Sequence, residues 1–257
     1  MKRLILVLYG VTAYVLFNLS FVYLLGFLQD LVVPKAINDG EASLAARALA
    51  INVFLVFLFG FFHSLMARES FKRWWTKYVP ESAERPTYVL QSAIFLMVAM
   101  FHWQPMTQVI WQLEGIAAVL VQVLFVAGVL TLLTSTFLID HFELFGLKQV
   151  WSVATTRDLP EPEFVQPLLY RVVRHPMQLG MVTLLFATPL MTTGHLVFAT
   201  AMTVYILIGL YFEERSLLRQ FGARYEHYQE QVPMLIPRLL PRSGTVRANA
   251  SEEGGVQ

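Results

Sequence analysis

Arg174-His175-Pro176, Gly180, Glu213-Glu214 and Tyr225-x-x-Tyr228 are the residues of this chain whose types could do chemistry, and they bracket a strongly apolar stretch from Leu179 to Phe212. An ionisable group at a bilayer centre costs roughly 2.5–3.5 kcal/mol, so charges gathered this close to a membrane segment read as a site. Arginine and a carboxylate pair can hold a charged ligand, and imidazoles or carboxylates can accept a proton. Further candidates lie far away in sequence: His63 with Ser64 and Arg68, and Asp140 with His141 and Glu143. Each has a plainer reading when taken alone. Pro176 suits the first turn of a helix with Arg174 facing lipid phosphates, Asp140 suits a cap, and His63 a bond to a neighbouring helix.

The chain must be able to bring such groups together at a membrane surface. Of its 257 residues, 56% are hydrophobic and 14% charged, whereas a soluble domain carries about a quarter charged residues. That deficit belongs to an integral membrane protein. A net charge of +1, with no basic stripe among exposed aromatics, gives no reason to expect nucleic acid. With no cysteine there are no disulfides, no thiolate zinc site and no cysteine nucleophile. No metal site and no obligate protein partner are read from the sequence; the partner it demands is the lipid bilayer.

Residues 4–28 are apolar for long enough to cross a hydrocarbon core of about 30 Å. Phe27-Leu28-Gln29-Asp30 offers no signal-peptide cleavage site, so this is read as a retained helix. Apolar segments follow at 44–67, 88–103 and 116–139. The third is short for a span, which asks for an earlier start or an oblique path. Basic residues cluster before the first segment (Lys2, Arg3), after the second (Arg68, Lys72, Arg73, Lys77, Arg85) and after the fourth (Lys148, Arg157, Arg171, Arg174), while 104–115 has none. Positive-inside counting therefore puts those loops and both termini in the cytoplasm.

The last apolar stretch has basic flanks on both sides, Arg171 and Arg174 before it and Arg215, Arg219 and Arg224 after it. Equal sidedness needs an even number of crossings, and Pro189 with Thr192-Thr193-Gly194 supplies a turn. Residues 179–191 and 195–212 are thus read as a tight helical hairpin with a short first arm, against a competing single tilted helix. The expected fold is an all-α integral membrane protein of five to six transmembrane helices with a cytoplasmic C-terminal helix. One domain covers 1–242, with a polar proline-containing loop at 158–163 and a disordered tail at 243–257.

This topology brings four distant clusters to one membrane depth: His63 with Ser64, Asp140 with His141 and Glu143, Arg174 with His175, and Glu213-Glu214. His102 and His195 fall at the opposite surface and are set aside. Glu214, Leu218, Phe221, Tyr225 and Tyr228 recur at alternating spacings of four and three, which predicts one helical face. Such a stripe is an interfacial amphipathic helix in its plain reading, or a cover over a bound cofactor.

The pattern R-H-P-x-x-x-G, E-E-x-x-L, F-G-x-x-Y-x-x-Y between Tyr170 and Pro237 resembles the C-terminal signature of membrane methyltransferases related to isoprenylcysteine carboxyl methyltransferase. Phe62-His63-Ser64-Leu65-Met66-Ala67-Arg68, Glu84-Arg85-x-Thr87-Tyr88-Val89-Leu90 and Asp140-His141-Phe142-Glu143-Leu144-Phe145-Gly146 through Trp151 are similar to the methanethiol S-methyltransferase family within that group. The resemblance covers nearly the whole chain except its tail. It implies S-adenosyl-L-methionine as cofactor, a small thiol as substrate, dimethyl sulfide as product and a bacterial inner membrane as location.

The cofactor-binding set that the resemblance implies is Tyr170, Arg174, His175, Pro176, Gly180, Glu213, Glu214, Tyr225 and Tyr228. In it, Arg174 would take the methionine carboxylate, Glu213 or Glu214 the ribose hydroxyls, and His175 and Tyr225 the adenine. Ser64, Arg68, Phe142, Phe145 and Trp151 are expected around the acceptor. Because a thiolate rather than a thiol is the nucleophile, a base is needed, and His63, Asp140 and His141 are the catalytic candidates. Two other readings stay open: methylation of another lipid-soluble acceptor (an isoprenylcysteine carboxylate or a phospholipid amine), and a transporter or denitrification-linked membrane protein without enzymatic activity. Charges gathered at one surface argue against transport, since carriers place substrate near the midplane.

Overall fold

The computed structural model describes residues 2–41, 43–156 and 164–238, so the loop at 158–163, Arg157 and the tail expected at 243–257 lie outside the described residues. Its long helices are α1 (Lys2–Gln29), α2 (Ala45–Ala67), α4 (Glu81–His102), α5 (Gly115–Ile139) and α9 (Thr193–Phe221), joined by the shorter α3 (Glu69–Trp75), α6 (His141–Leu144), α7 (Leu147–Thr155), α8 (Pro176–Phe186) and α10 (Ala223–Gln231). Among the described residues, α1, α2, α5 and α9 are long and apolar enough to cross a membrane. The helix α5 carries no charged residue on any side. Ile116, Val119, Leu120 and Val123 of α5 all face outward, as a helix does when its solvent is lipid and its backbone bonds are satisfied internally.

Among the described residues the fold is all-α apart from a two-stranded antiparallel ribbon, β1 (Val109–Gln112) with β2 (Leu190–Thr192), that pairs Trp111 with Met191. The ribbon was not anticipated. It ties the connection between α4 and α5 to the turn between α8 and α9, where Pro189 and Thr192 predict a turn. Thr192 caps α9 by accepting a hydrogen bond from the His195 backbone at 3.2 Å.

Three boundaries differ from expectation. First, α4 starts at Glu81 rather than at 88, the earlier start that the short third segment asks for, although its added turns carry Glu81, Glu84 and Arg85. Second, α8 ends at Phe186 and packs mainly on α5, so the first arm of the hairpin belongs to a neighbouring helix as much as to α9. Third, α9 does not stop at Phe212 but carries Glu213 and Glu214 within it to Phe221. It breaks at Gly222, whose φ of +54° suits a residue without a Cβ. The stripe from Glu214 to Tyr228 therefore spans two helices, not one.

The tightest core lies at the ribbon end of the bundle, where Phe27, Trp103 and Phe198 are fully buried and meet edge to face with centroids 5.1–5.6 Å apart. The polar clusters collect at the other end.

Candidate active site

Glu214 is the hub of that polar end. Its Oε1 accepts from Arg174 Nε at 2.9 Å, His175 Nε2 at 2.6 Å and the Tyr225 hydroxyl at 2.8 Å. Its Oε2 accepts from Arg174 Nη2 at 3.0 Å and from the Gln229 amide. A carboxylate has about four lone-pair sites, so these donors saturate it. Arg174 is almost equally occupied, because Nη1 also donates to the carbonyls of Gln229 and Val232 at 3.1 and 2.6 Å.

The segment after α10 closes over this pair. Arg174 and His175 backbone N–H groups donate to the carbonyls of Pro233 and Met234 at 2.9 and 3.1 Å. The Tyr228 hydroxyl donates to the Tyr170 carbonyl at 2.5 Å, and Tyr170 reaches the Ser135 carbonyl at 3.4 Å. Burial raises the Tyr225 phenol, and its bond to the Glu214 carboxylate raises it further. Burial likewise pushes Tyr228 up to about 12. Both phenols stay protonated as donors across the physiological range.

Glu213, on the adjacent face of α9, is placed differently. Its side chain is 47% exposed, 3.9 Å from His175 Nδ1, and among the described residues only the Gln178 amide is within bonding reach, at 3.5 Å. It is the carboxylate of the pair with acceptor capacity left. Its field reaches Tyr170 on one side and Tyr88 on the other.

On the Tyr88 side, α2, α4 and α9 hold a second polar group. His63 Nε2 lies 2.5 Å from the Tyr88 hydroxyl, and Nδ1 lies 2.8 Å from Ser92 Oγ. Ser92 spends its own proton on the Tyr88 carbonyl at 2.7 Å. Ser92 can then only accept from His63, so Nδ1 carries the ring proton and Nε2 accepts from Tyr88. Ser64 and Tyr205 share a hydrogen bond of 3.2 Å beside them, and Phe59 stacks on His63 at 5.4 Å.

Asp140 and His141 form a third group. Asp140 caps α6 by accepting from the Glu143 N–H at 3.0 Å and pairs with Lys148. Burial acts to raise its carboxyl, but the Lys148 and backbone donors outweigh it and hold it below the usual range. His141 is buried between Tyr14 and Thr136, at 2.8 and 2.9 Å, and stacks on Phe137. Burial pushes its imidazole down, against the opposing field of Asp140. Among the described residues, no hydrogen bond or ring contact links His141 to His63 or Glu213.

Other candidates take structural positions. Gly180 lies where α8 crosses α5: a Cβ there would come within 2.6 Å of the Gly128 carbonyl oxygen, so the two backbones touch. Pro176 opens α8 at its first turn. Phe145 packs on Phe17 at 4.6 Å. Phe142 and Trp151 are exposed, at 49% and 62%, and Arg68 is exposed at the junction of α2 and α3. A groove of about 380 Å³ runs along α9 past Leu207, Tyr211, Glu214 and Gln229, but the Glu214 and Gln229 side chains in it already bond each other.

Reading the sequence missed Tyr88, Ser92, Tyr205, Gln178 and Gln229. Tyr88 and Ser92 are spaced one turn apart within an apolar segment, a signal that pointed to a shared polar face. Nothing local distinguished Tyr205 from an interfacial aromatic.

Fold and site together define an all-α integral membrane protein whose charged and polar clusters gather at one end of its helices. The chain is 45% identical over 95% of its length to a protein named methanethiol S-methyltransferase 2 from Bradyrhizobium diazoefficiens, covering 94% of that protein. It is 45% identical over 92% of its length to the methanethiol S-methyltransferase of Mycobacterium tuberculosis, covering 98% of it. A more distant similarity, 29% over 76% of the chain and 79% of the relative, is to Nurim of Rattus norvegicus. No family model matches the chain. No solved structure matches it either. The chain belongs to the methanethiol S-methyltransferase family.

Proposed function

We propose that this protein transfers the methyl group of S-adenosyl-L-methionine to methanethiol, releasing dimethyl sulfide, in a bacterial inner membrane. The observation that carries this is similarity along almost the entire length of relatives bearing that name. The site end is read as cytoplasmic, because Arg68, Lys72, Arg73, Lys148 and Arg174 cluster there. Five to six crossings result if α4 spans and α8 is a partial arm.

The residues present fit this cofactor. When bound, it supplies an electrophilic methyl group on a cationic sulfonium. Glu213 retains the acceptor capacity that ribose hydroxyls and a nearby positive charge call for, and Gln178 and His175 sit beside it. Arg174 uses four of its five N–H donors on Glu214, Gln229 and Val232, which leaves one for a ligand carboxylate. Glu214, Tyr225, Tyr228 and Tyr170 hold the wall of the site, and so fix Arg174 and His175 beneath it. Phe59 covers a face of the His63 ring, and apolar cover of this kind favours displacement at carbon over hydrolysis.

The test is direct. Purified protein with S-adenosylmethionine and methanethiol should yield dimethyl sulfide. Cofactor binding without that product would point to another acceptor, and absence of cofactor binding would overturn the methyltransferase reading.

A further inference from the structure

We infer that Tyr88 is a catalytic residue, the group that takes the proton from the acceptor thiol and hands it to His63. This rests on the thiol-methylating function proposed above. A thiol is a poor nucleophile until it ionises, and free alkyl thiols such as the cysteine side chain hold their proton to about pH 8.5. A site that acts near neutrality therefore needs a proton acceptor in contact with sulfur. His63 itself is not open to one: Nδ1 faces Ser92, Nε2 faces Tyr88, and Phe59 covers a ring face. The way to His63 Nε2 runs through the Tyr88 oxygen. That oxygen donates its hydrogen to His63 and keeps its lone pairs for a second partner.

The rest of the arrangement is wired for this direction. Ser92 fixes the His63 tautomer that accepts at Nε2, by donating its hydroxyl to the Tyr88 carbonyl one turn back. The Arg85 guanidinium stands 5.3 Å from the Tyr88 ring centroid, where it favours negative charge passing through the phenol oxygen and opposes a lasting imidazolium at His63. The charged and titratable groups whose fields reach Tyr88 are Arg85 and Glu84 on its own helix and Tyr205 and Glu213 on α9; from α2 it meets His63 itself.

The step balances as follows. The S–H proton passes to the Tyr88 oxygen as the Tyr88 proton passes to His63 Nε2, leaving an imidazolium. The sulfur electron pair forms a bond to the methyl carbon, and the methyl–sulfonium bond breaks with its pair staying on the donor sulfur, now a neutral thioether. His63 then releases its proton to solvent. Tyr88 and His63 return to their starting states.

The experiment compares wild type with Tyr88→Phe, which keeps the ring against His63 and removes only the hydroxyl. With methanethiol at neutral pH, Tyr88→Phe should lower kcat by about 100-fold or more, with the Kd for S-adenosylmethionine unchanged. The loss should shrink as pH rises and nearly vanish with an aryl thiol that is already ionised at neutral pH. Without donor, ultraviolet absorbance should show bound methanethiol as thiolate in wild type and not in Tyr88→Phe. Ser92→Ala should produce a smaller loss with the same dependence on pH and thiol acidity, and it guards against a fold defect in the first variant. Equal losses for alkyl and aryl thiols at every pH, or no loss at all while wild type makes dimethyl sulfide, would overturn the role of Tyr88. If wild type binds cofactor yet makes no dimethyl sulfide, the acceptor assignment falls and the relay with it.

Discussion

At the ribbon end of the bundle Asn52 and Gln104 exchange two hydrogen bonds of 2.8 Å, and His195 is sealed against the Leu185 carbonyl. At the other end Glu214 gathers donors from two separate stretches of chain, Arg174-His175 and α10, and Glu213 beside it is left half exposed. The first end pairs neutral side chains with backbone and encloses them among Phe27, Trp103 and Phe198. The second concentrates formal charge, neutralises most of it internally and keeps one carboxylate available. Polar groups are satisfied in opposite ways at the two ends of the same helices. The charges lie at the ends of the helices because a charge at a membrane edge is far cheaper than one deeper in lipid.

Breaking the charged end should have the largest effect. Arg174→Ala would leave the Glu214 carboxylate enclosed without its bidentate partner, at a cost of about 3–5 kcal/mol. Thermal unfolding in detergent should register the loss, and hydrogen exchange should show 232–234 released first.

The ribbon end should be less sensitive and functionally silent. Asn52→Ala removes the amide that satisfies both backbone groups of Gln104 and should cost about 1–3 kcal/mol. The folded fraction should bind S-adenosylmethionine as wild type does; a matching fall in affinity would erase the division between the ends.

A sharper contrast lies between adjacent carboxylates. Glu213→Gln should weaken S-adenosylmethionine binding about tenfold, equivalent to about 1.4 kcal/mol, while leaving thermal stability unchanged. Glu214→Gln should lower both. Calorimetric titration beside thermal unfolding of the two variants separates them, and equal behaviour would remove the distinction between scaffold and ligand contact.

The smallest effect concerns His141. Its folded imidazole is held below the ordinary value near 6.5. As pH falls through that value the unfolded chain takes up a proton that the folded chain refuses. The stability contributed by the neutral ring is therefore present above about pH 6.5 and declines below it. Thermal unfolding from pH 7.5 down to 5 should show this slope, reduced in His141→Phe.

Much of this molecule was legible in its residues. Residues 4–28 and 116–139 read as spans because nothing polar interrupts them, and lipid accepts such a helix on every side. Pro189 with Thr192 marked a turn for local reasons of backbone geometry. The expected single face from Glu214 to Tyr228 fared less well: periodicity ignores a residue like Gly222, whose left-handed backbone ends one helix and re-aims the next. Tyr225 nevertheless reaches Glu214, by tertiary folding rather than by register.

Composition and charge pattern thus determined that the chain enters a membrane, which loops stay at one surface and which residue types collect there. Those are sums over local transfer energies, and each residue contributes independently of its distant neighbours. Only the tertiary structure decided that Glu214 is saturated and Glu213 is not, that Gly180 serves a helix crossing, and that Tyr88 and Ser92 occupy the two ring nitrogens of His63. Such distinctions depend on which donors converge on one oxygen and how closely two backbones approach, quantities that exist only once segments far apart in sequence are packed together.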